Sequence, residues 1–125
     1  MATTRKLEPS EHAIQAAFVE WVRRVENLPQ YHALRLSFAV PNGARVGIGQ
    51  ARKLKAEGLR AGIPDWWLPY PLGELGLVIE FKAARGVLSV GQSAYMRKLS
   101  ALGWRCQLCR STESAIAAVN LYLGI

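Results

Sequence analysis

The stretch from Gly62 to Lys82 constrains the fold most strongly, because it reads as two β-strands joined by a short connection. The first strand is predicted over Asp65 to Tyr70 and the second over Leu75 to Lys82. Both are rich in aromatic or β-branched residues and are bounded by proline or glycine. A connection of this length is typical of a hairpin, so the sequence predicts an antiparallel pair.

This hairpin predicts that two carboxylates lie side by side. If Tyr70 faces Leu75, then Asp65 faces Glu80, and directly opposed residues share one face with Cβ atoms about 4.5–5.5 Å apart. Like charges in that arrangement are destabilising unless a cation offsets them. Oxygen ligands of this kind suit Mg²⁺ or Mn²⁺, which bind one or two carboxylates together with substrate phosphate. We therefore expect Asp65 and Glu80 to hold a divalent metal ion.

Alternation along the second strand predicts which face carries the chemistry. The alternate apolar positions should enter a core: Leu77, Ile79 and Phe81. Glu80 and Lys82 then share the opposite face, where Lys82 is placed to orient or activate an attacking water and to offset phosphate charge. Each fragment alone has a structural alternative, since Pro-Asp is common at turns and Glu-x-Lys is often a solvated strand edge. Their joint occurrence in one register favours catalysis.

Five segments in chain order form a more specific set: Ser10-Glu11-His12-x-x-Gln15, Pro41-Asn42-Gly43-x-Arg45, Gly62-Ile63-Pro64-Asp65, Glu80-Phe81-Lys82, and Gln92 after Gly86-Val87-Leu88-Ser89. This set resembles the VRR-NUC (virus-type replication-repair nuclease) domain of the PD-(D/E)xK nuclease superfamily. The resemblance covers nearly the whole chain. It implies an α/β fold with the restriction-endonuclease-like core, a mixed central sheet flanked by helices, and metal-dependent hydrolysis of phosphodiester bonds in DNA.

The resemblance also implies roles for individual residues. Asp65, Glu80 and the backbone carbonyl of Phe81 would hold Mg²⁺ or Mn²⁺, and Lys82 would position the attacking water. A first-helix glutamate reaches the metal in the family, which points to Glu11.

The residues themselves leave the role of Glu11 open. Glu11 borders the apolar stripe of its predicted helix, whereas Glu20 is expected to point well away. The alternative is that Glu11 only favours the positive end of the helix dipole.

Gln92 has two possible roles, one in capping a helix and one in the active site. It stands three residues after Ser89, which is the spacing of a capping box at a helix start. In the resembled family a glutamine at this place belongs to the active site. A side chain in the first helical turn can also face the strand ends, so both roles stay open.

Charge points to a polyanionic partner. Sixteen Lys and Arg against nine Asp and Glu give a net charge of +7, a balance that favours nucleic acid. The residues expected to contact DNA are Asn42, Arg45, Arg52, Lys53, Lys55, Arg60 and Arg85. The alternatives are a merely soluble basic protein and, for the predicted helix over 50–57, a solvated face.

One domain is expected over residues 1–125, with a loose segment at about 1–9. Further predicted elements are a helix from the Ser10 cap to about Asn27, a connector over Asn27–His32, a strand over Leu34–Val40, a helix over Gln50–Glu57, a helix from Ser89 to Gly103, a strand over Trp104–Cys109 and a helix from Ser111. The helix between the last two strands implies that they are parallel.

Several classes are disfavoured. No apolar run approaches the ~20 residues of a membrane span and the N-terminus lacks a signal pattern, so an intracellular protein is expected. No Gly-Lys-Ser/Thr follows the glycine-rich loop at 43–49, which argues against a nucleotide cofactor. Cys106 and Cys109 lack partners for a zinc site and, in a strand, point to opposite faces, so core packing is favoured over redox chemistry.

The resemblance is to stand-alone VRR-NUC proteins of phages and bacteria. Such proteins are similar to Holliday-junction resolvases, so the resemblance implies a homodimer that cuts branched DNA in repair. The adjacent Trp66 and Trp67, with Trp104, are candidates for core or interface. The rival function is a non-catalytic nucleic-acid-binding module on a nuclease-like fold. That rival leaves the opposed carboxylates unexplained, because they would repel phosphate.

Overall fold

A computed structural model describes residues 7–42 and 46–125. In this part of the chain the helices are α1 (Glu11–Val25), α2 (Ile48–Ala56), α3 (Val90–Leu102) and α4 (Thr112–Leu123), with a 3₁₀ helix over Pro29–Leu36. The strands are β1 (Phe38–Ala39), β2 (Trp66–Leu68), β3 (Leu77–Phe81) and β4 (Arg105–Cys109). They form one sheet in the order β1-β2-β3-β4, antiparallel except for the parallel pair β3 and β4. The predicted α/β class with a mixed sheet is confirmed.

The predicted register between β2 and β3 is confirmed. The pairs are Trp66 with Ile79, Trp67 with Val78, and Leu68 with Leu77. One step further in the same register, Asp65 lies opposite Glu80. Both strands are shorter than predicted, because the amide of Leu75 donates to the carbonyl of Gly103 (2.9 Å) at the corner between α3 and β4 and not to β2. The connection is therefore longer than a tight hairpin turn.

The core lies between the sheet and the helices α1 and α4. The alternate β3 positions Leu77, Ile79 and Phe81 enter it, as predicted, with side chains from both helices. Phe18 of α1 joins the two strands at the site, since its ring centroid lies 4.9 Å from that of Trp66 and 5.5 Å from that of Phe81. The strand ends that carry Asp65 and Glu80 are therefore held in place by aromatic rings packed on the core side of the sheet.

The helix α3 covers the opposite face of the sheet. Cys106 lies there, with its Sγ 3.4 Å from the carbonyl oxygen of Met96, whereas Cys109 is buried in the core on the other face. Both are free thiols. Trp66 belongs to the core, and Trp67 lies on the α3 side, stacked on Phe38. None of the helices in residues 7–42 and 46–125 is long and apolar enough to cross a membrane.

The predicted helix starts are confirmed, because the side chains of Ser10, Ser89 and Ser111 each accept a hydrogen bond from an amide in the first turn of the helix that follows. The helix predicted over Gln50–Glu57 begins two residues earlier, at Ile48. At the end of α3, Gly103 adopts a φ of 106°, which glycine tolerates and which closes the helix.

Of the strand predicted over Leu34–Val40 only Phe38–Ala39 forms, because a 3₁₀ helix occupies most of the connector predicted over Asn27–His32 and continues beyond it. The 3₁₀ helix runs through Leu36, and β1 holds only two residues. Leu34 is fully buried, and Ser37 donates to its carbonyl oxygen through both the amide (3.0 Å) and the hydroxyl (2.6 Å). These bonds close a helical turn where alternation alone suggested an extended chain.

Candidate active site

Asp65 is held at the start of β2 by backbone bonds on both sides. Its carbonyl accepts from the amide of Val40 (2.9 Å), and its Oδ2 accepts from the amide of Phe81 (2.8 Å). Its side chain is nearly buried, with 6% exposed. The carboxylate is thus aimed across the sheet towards β3 by the pairing itself.

Glu80 lies beside it and is still more buried, with 2% exposed. Burial raises the pKa of Glu80 from 4.5 to about 8, and the charge of Asp65 and a hydrogen bond with it add to the rise. Lys82 lowers the pKa of Glu80, and Glu11 raises it slightly. Without a cation, therefore, Glu80 keeps its proton at neutral pH.

The backbone of Phe81 faces the same pair. Its amide donates to Asp65, and in an extended strand the amide and carbonyl of one residue point to the same edge. The next amide, that of Lys82, points the other way and donates to Cys109 on β4 (3.1 Å). The Phe81 carbonyl is therefore directed to the edge where Asp65 lies.

Lys82 leaves β3 half-buried, and the turn over 83–86 after it is tied to the end of β4. The Nη1 atom of Arg110 donates to the carbonyl oxygens of Ala83 (2.9 Å), Ala84 (3.3 Å) and Gly86 (2.6 Å). A Cβ on Gly86 would lie 3.3 Å from Cδ of Lys82. The lysine therefore emerges from a fixed backbone beside the acidic pair.

Gln92 makes the contacts of both roles that the sequence left open. Its Oε1 accepts from the amide of Ser89 (2.9 Å) and its own amide donates to Ser89 Oγ (3.1 Å), which is a complete capping box. Its Nε2 donates to Oε1 of Glu80 (3.1 Å). One amide group thus caps α3 and contacts the carboxylate pair.

Glu11 is half-buried at the start of α1, and its charge acts on Glu80. Within residues 7–42 and 46–125, no group of three or more His, Cys, Asp or Glu side chains is placed to hold a metal ion. The acidic centre is therefore a pair, Asp65 and Glu80.

The donors at the centre fit a hard divalent cation. Two buried carboxylates and a backbone carbonyl supply only oxygen atoms, and a cation between them would offset the burial and the repulsion by Asp65 that raise the pKa of Glu80. Asp65, Glu80 and the Phe81 carbonyl are the groups that would hold it.

Two clefts meet at Asp65. The first, of about 530 Å³, runs along α1, and the second, of about 390 Å³, lies between α2 and the start of α3. Val40, Asn42 and Asp65 line both. Asp65 is thus bordered by two clefts, and Glu80 adjoins the second of them through its contact with Gln92.

The residues predicted to contact DNA divide between the second cleft and the surface. Lys55 and Arg60 line the second cleft and Asn42 lines both. Arg52 and Lys53 are exposed on α2, and Arg85 is exposed in the turn after Lys82. Arg45 lies outside the described residues.

The sequence interpretation missed the polar residues of the first cleft. Glu20, which was expected to point away, lines this cleft together with Asp65, and so do Arg23 and Arg24. Their spacing carried a signal, because His12, Ala16, Glu20 and Arg23 recur every three or four residues on one helix face. That the face lies over Asp65 depends on how α1 packs.

Comparison with known proteins identifies the family. A family model for the VRR-NUC domain matches residues 5–113. A solved structure described as a VRR_NUC domain protein superposes with a TM-score of 0.76 at 19% identity, covering 94% of this chain and 91% of that one. No curated protein matches. The superposition shows the shared fold, which is the PD-(D/E)xK type expected from the sequence. The chain therefore belongs to the VRR-NUC family, a nuclease-type family.

Proposed function

We propose that this protein is a metal-dependent DNA endonuclease that hydrolyses phosphodiester bonds. The observation that carries the proposal is the buried pair of Asp65 and Glu80 at the meeting point of two clefts, with Lys82 and Gln92 beside it. A module that only binds DNA gains nothing from two acids there, because they repel phosphate. A hydrolase needs them to hold a cation.

Each residue then has a distinct role. Asp65, Glu80 and the Phe81 carbonyl would hold Mg²⁺ or Mn²⁺, which when bound would stabilise negative charge on the phosphate and lower the pKa of a water. Lys82 orients the attacking water and offsets phosphate charge. Gln92 keeps the Glu80 carboxylate in position through its 3.1 Å hydrogen bond. Glu11 acts on this centre through its charge and would be the further carboxylate to reach the metal.

The preferred substrate is branched DNA such as a Holliday junction, cut by a homodimer. The charge of +7 supports a polyanionic partner, and the clefts give the DNA two directions in which to leave the acidic centre. One chain offers one carboxylate pair, whereas resolving a four-way junction needs two cuts. We place this activity inside cells, in DNA repair in a bacterium or a phage-infected host.

The decisive experiment is cleavage of a labelled four-way junction beside a matched linear duplex, with Mg²⁺, Mn²⁺ or EDTA. Wild-type protein should cut the junction only with metal, and Lys82→Ala should lower the rate by about 10²-fold or more, as expected for loss of a proton-transfer or water-positioning group. Lys98→Ala is the matched control, because Lys98 is exposed on α3. It should cut like wild type.

The alternative outcome is equally clear. If wild type and Lys82→Ala both bind the junction and neither cuts any DNA with either metal, the protein is a non-catalytic binding module. Equal cutting of linear duplex and junction would keep the nuclease and remove the preference for branched DNA. Light scattering of the protein with and without the junction tests for the homodimer.

A further inference from the structure

The first cleft has a cationic rim that the proposed chemistry does not use. Arg23 and Arg24 lie in the last turn of α1, are exposed, and line this cleft together with Asp65. Its lining includes the apolar side chains Ala16, Val19 and Val40. A groove with an apolar floor and two guanidinium groups matches the sugar and base faces of a nucleic-acid strand and its phosphates.

The second cleft repeats this charge on the other side of Asp65. Lys55 and Arg60 line it, and Gln92 links it to Glu80. Cations therefore occur in both clefts, with Asp65 where the clefts meet. Arginine in particular suits this task, because its planar group donates two parallel hydrogen bonds to one phosphate.

We propose that the DNA strand being cut continues past Asp65 into the first cleft, where Arg23 and Arg24 bind its phosphates. The strand is then held on both sides of the reacting bond, by these arginines and by Lys55 and Arg60. This inference rests on the proposed nuclease function for the position of the cut, but not for the binding itself.

Glu20 allows a second prediction, on how the charge of the first cleft affects DNA binding. It is an acid on the rim of the first cleft, one turn before Arg24. It repels the phosphates that the two arginines attract, and together with Asp65 it cancels the formal charge of the arginines in the lining of the cleft. Glu20→Gln should therefore tighten DNA binding.

The test is the salt dependence of binding to labelled duplex and junction, measured in EDTA so that no cleavage is required. Each phosphate contact contributes about 0.9 to the slope of log K against log salt on duplex DNA. Arg23→Gln with Arg24→Gln should make the slope shallower by about 1.8 and weaken binding about tenfold or more at 100 mM salt. Circular dichroism checks that the variants fold.

Two further variants separate charge in the cleft from charge in general. Arg97→Gln with Lys98→Gln removes two exposed cations from α3 that line neither cleft, and should leave the slope unchanged. Arg23→Lys with Arg24→Lys keeps the charge and should retain the wild-type slope. If the two glutamine pairs change the slope equally, or if neither changes it, the first cleft does not bind DNA and the inference is overturned.

The two proposals fail separately. A shallower slope for the Arg23 and Arg24 pair in a protein that cuts nothing supports the binding cleft and removes the nuclease. Metal-dependent cutting with an unchanged slope keeps the nuclease and overturns the cleft.

Discussion

The side chain of Gln92 joins a structural role to a chemical one. Its amide oxygen closes the capping box with Ser89, while its amide nitrogen contacts Glu80. Because both ends of the amide are bonded, the side chain has a single orientation. The start of α3 and the position of the Glu80 carboxylate are therefore fixed by the same group.

Substituting Ser89 or Gln92 separates these two roles. Ser89→Ala removes the cap and should cost about 1 kcal/mol of stability with cleavage per folded molecule nearly unchanged. Gln92→Ala should cost a similar amount and also slow cleavage at least tenfold, because Glu80 loses its contact. Chemical denaturation and single-turnover cleavage measure the two effects. An equal loss of cleavage in both variants would show that Gln92 acts only through the cap.

At the scale of elements, the loop before β2 is packed directly against the start of α3. Gly62 adopts a φ of 82°, and a Cβ at that position would lie 3.0 Å from the backbone carbon and oxygen of Gly91 and 3.2 Å from the amide nitrogen of Gln92. Only glycine allows this approach. The contact holds the loop that ends in Asp65 against the helix that carries Gln92.

Gly62→Ala should therefore destabilise the protein more than an alanine in the same backbone conformation elsewhere. Gly73 is the matched control, with a φ of 80° and no atom within 4 Å of a Cβ. Gly73→Ala should cost about 1 kcal/mol from backbone strain alone. Gly62→Ala adds the clash with Gly91 and should also reduce cleavage. Equal thermal denaturation midpoints for the two variants would contradict the packing argument.

The β2 and β3 register and the 3₁₀ helix show which elements sequence patterns determine and which they do not. The β2 and β3 register was predictable because a shift by one residue would turn Leu77, Ile79 and Phe81 away from the core. The 3₁₀ helix was not, since Leu34-Arg35-Leu36 alternates like a strand and also fits one short turn. Burial of Leu34 against other elements decides between them, and that is a tertiary property.

The candidate site divides in the same way. The order and register of the elements bring four site residues close together: Asp65, Glu80, Lys82 and Gln92. Arg23 and Arg24 lie on a helix that is distant in sequence from β2 and β3, and the periodicity of α1 does not say what its exposed face lies against. The first cleft was therefore visible only once α1 was placed over the strand ends.

At the scale of the whole molecule, the acidic pair couples stability to pH. The pKa of Glu80 is about 8 when folded against 4.5 ordinarily, so between these values the folded state keeps a proton that the unfolded state has lost. Stability is then fully retained below about pH 4.5 and decreases as pH rises through about 8. Loss of the Glu80 proton therefore lowers the free energy of unfolding of the whole protein.

Thermal denaturation in EDTA between about pH 5 and pH 9 measures this effect. The midpoint of the wild type should fall by several degrees with rising pH, and Glu80→Gln should flatten the profile because the side chain no longer titrates. Glu8→Gln, at an exposed position, is the control and should follow the wild type. Adding Mn²⁺ should reverse the trend in wild type alone, since metal binds the ionised pair. A flat wild-type profile would contradict the assigned pKa.

The hydrogen bonds from Arg110 to the turn over 83–86 determine which substitutions this turn can tolerate. Its Nη1 atom donates to three backbone carbonyl oxygens, and every amino acid presents the same carbonyl. The exposed side chains of Ala84 and Arg85 can therefore vary while the backbone beside Lys82 keeps its path. Substitutions at these two positions should therefore leave the neighbouring Lys82 in place, provided that Arg110, directly after β4, is retained.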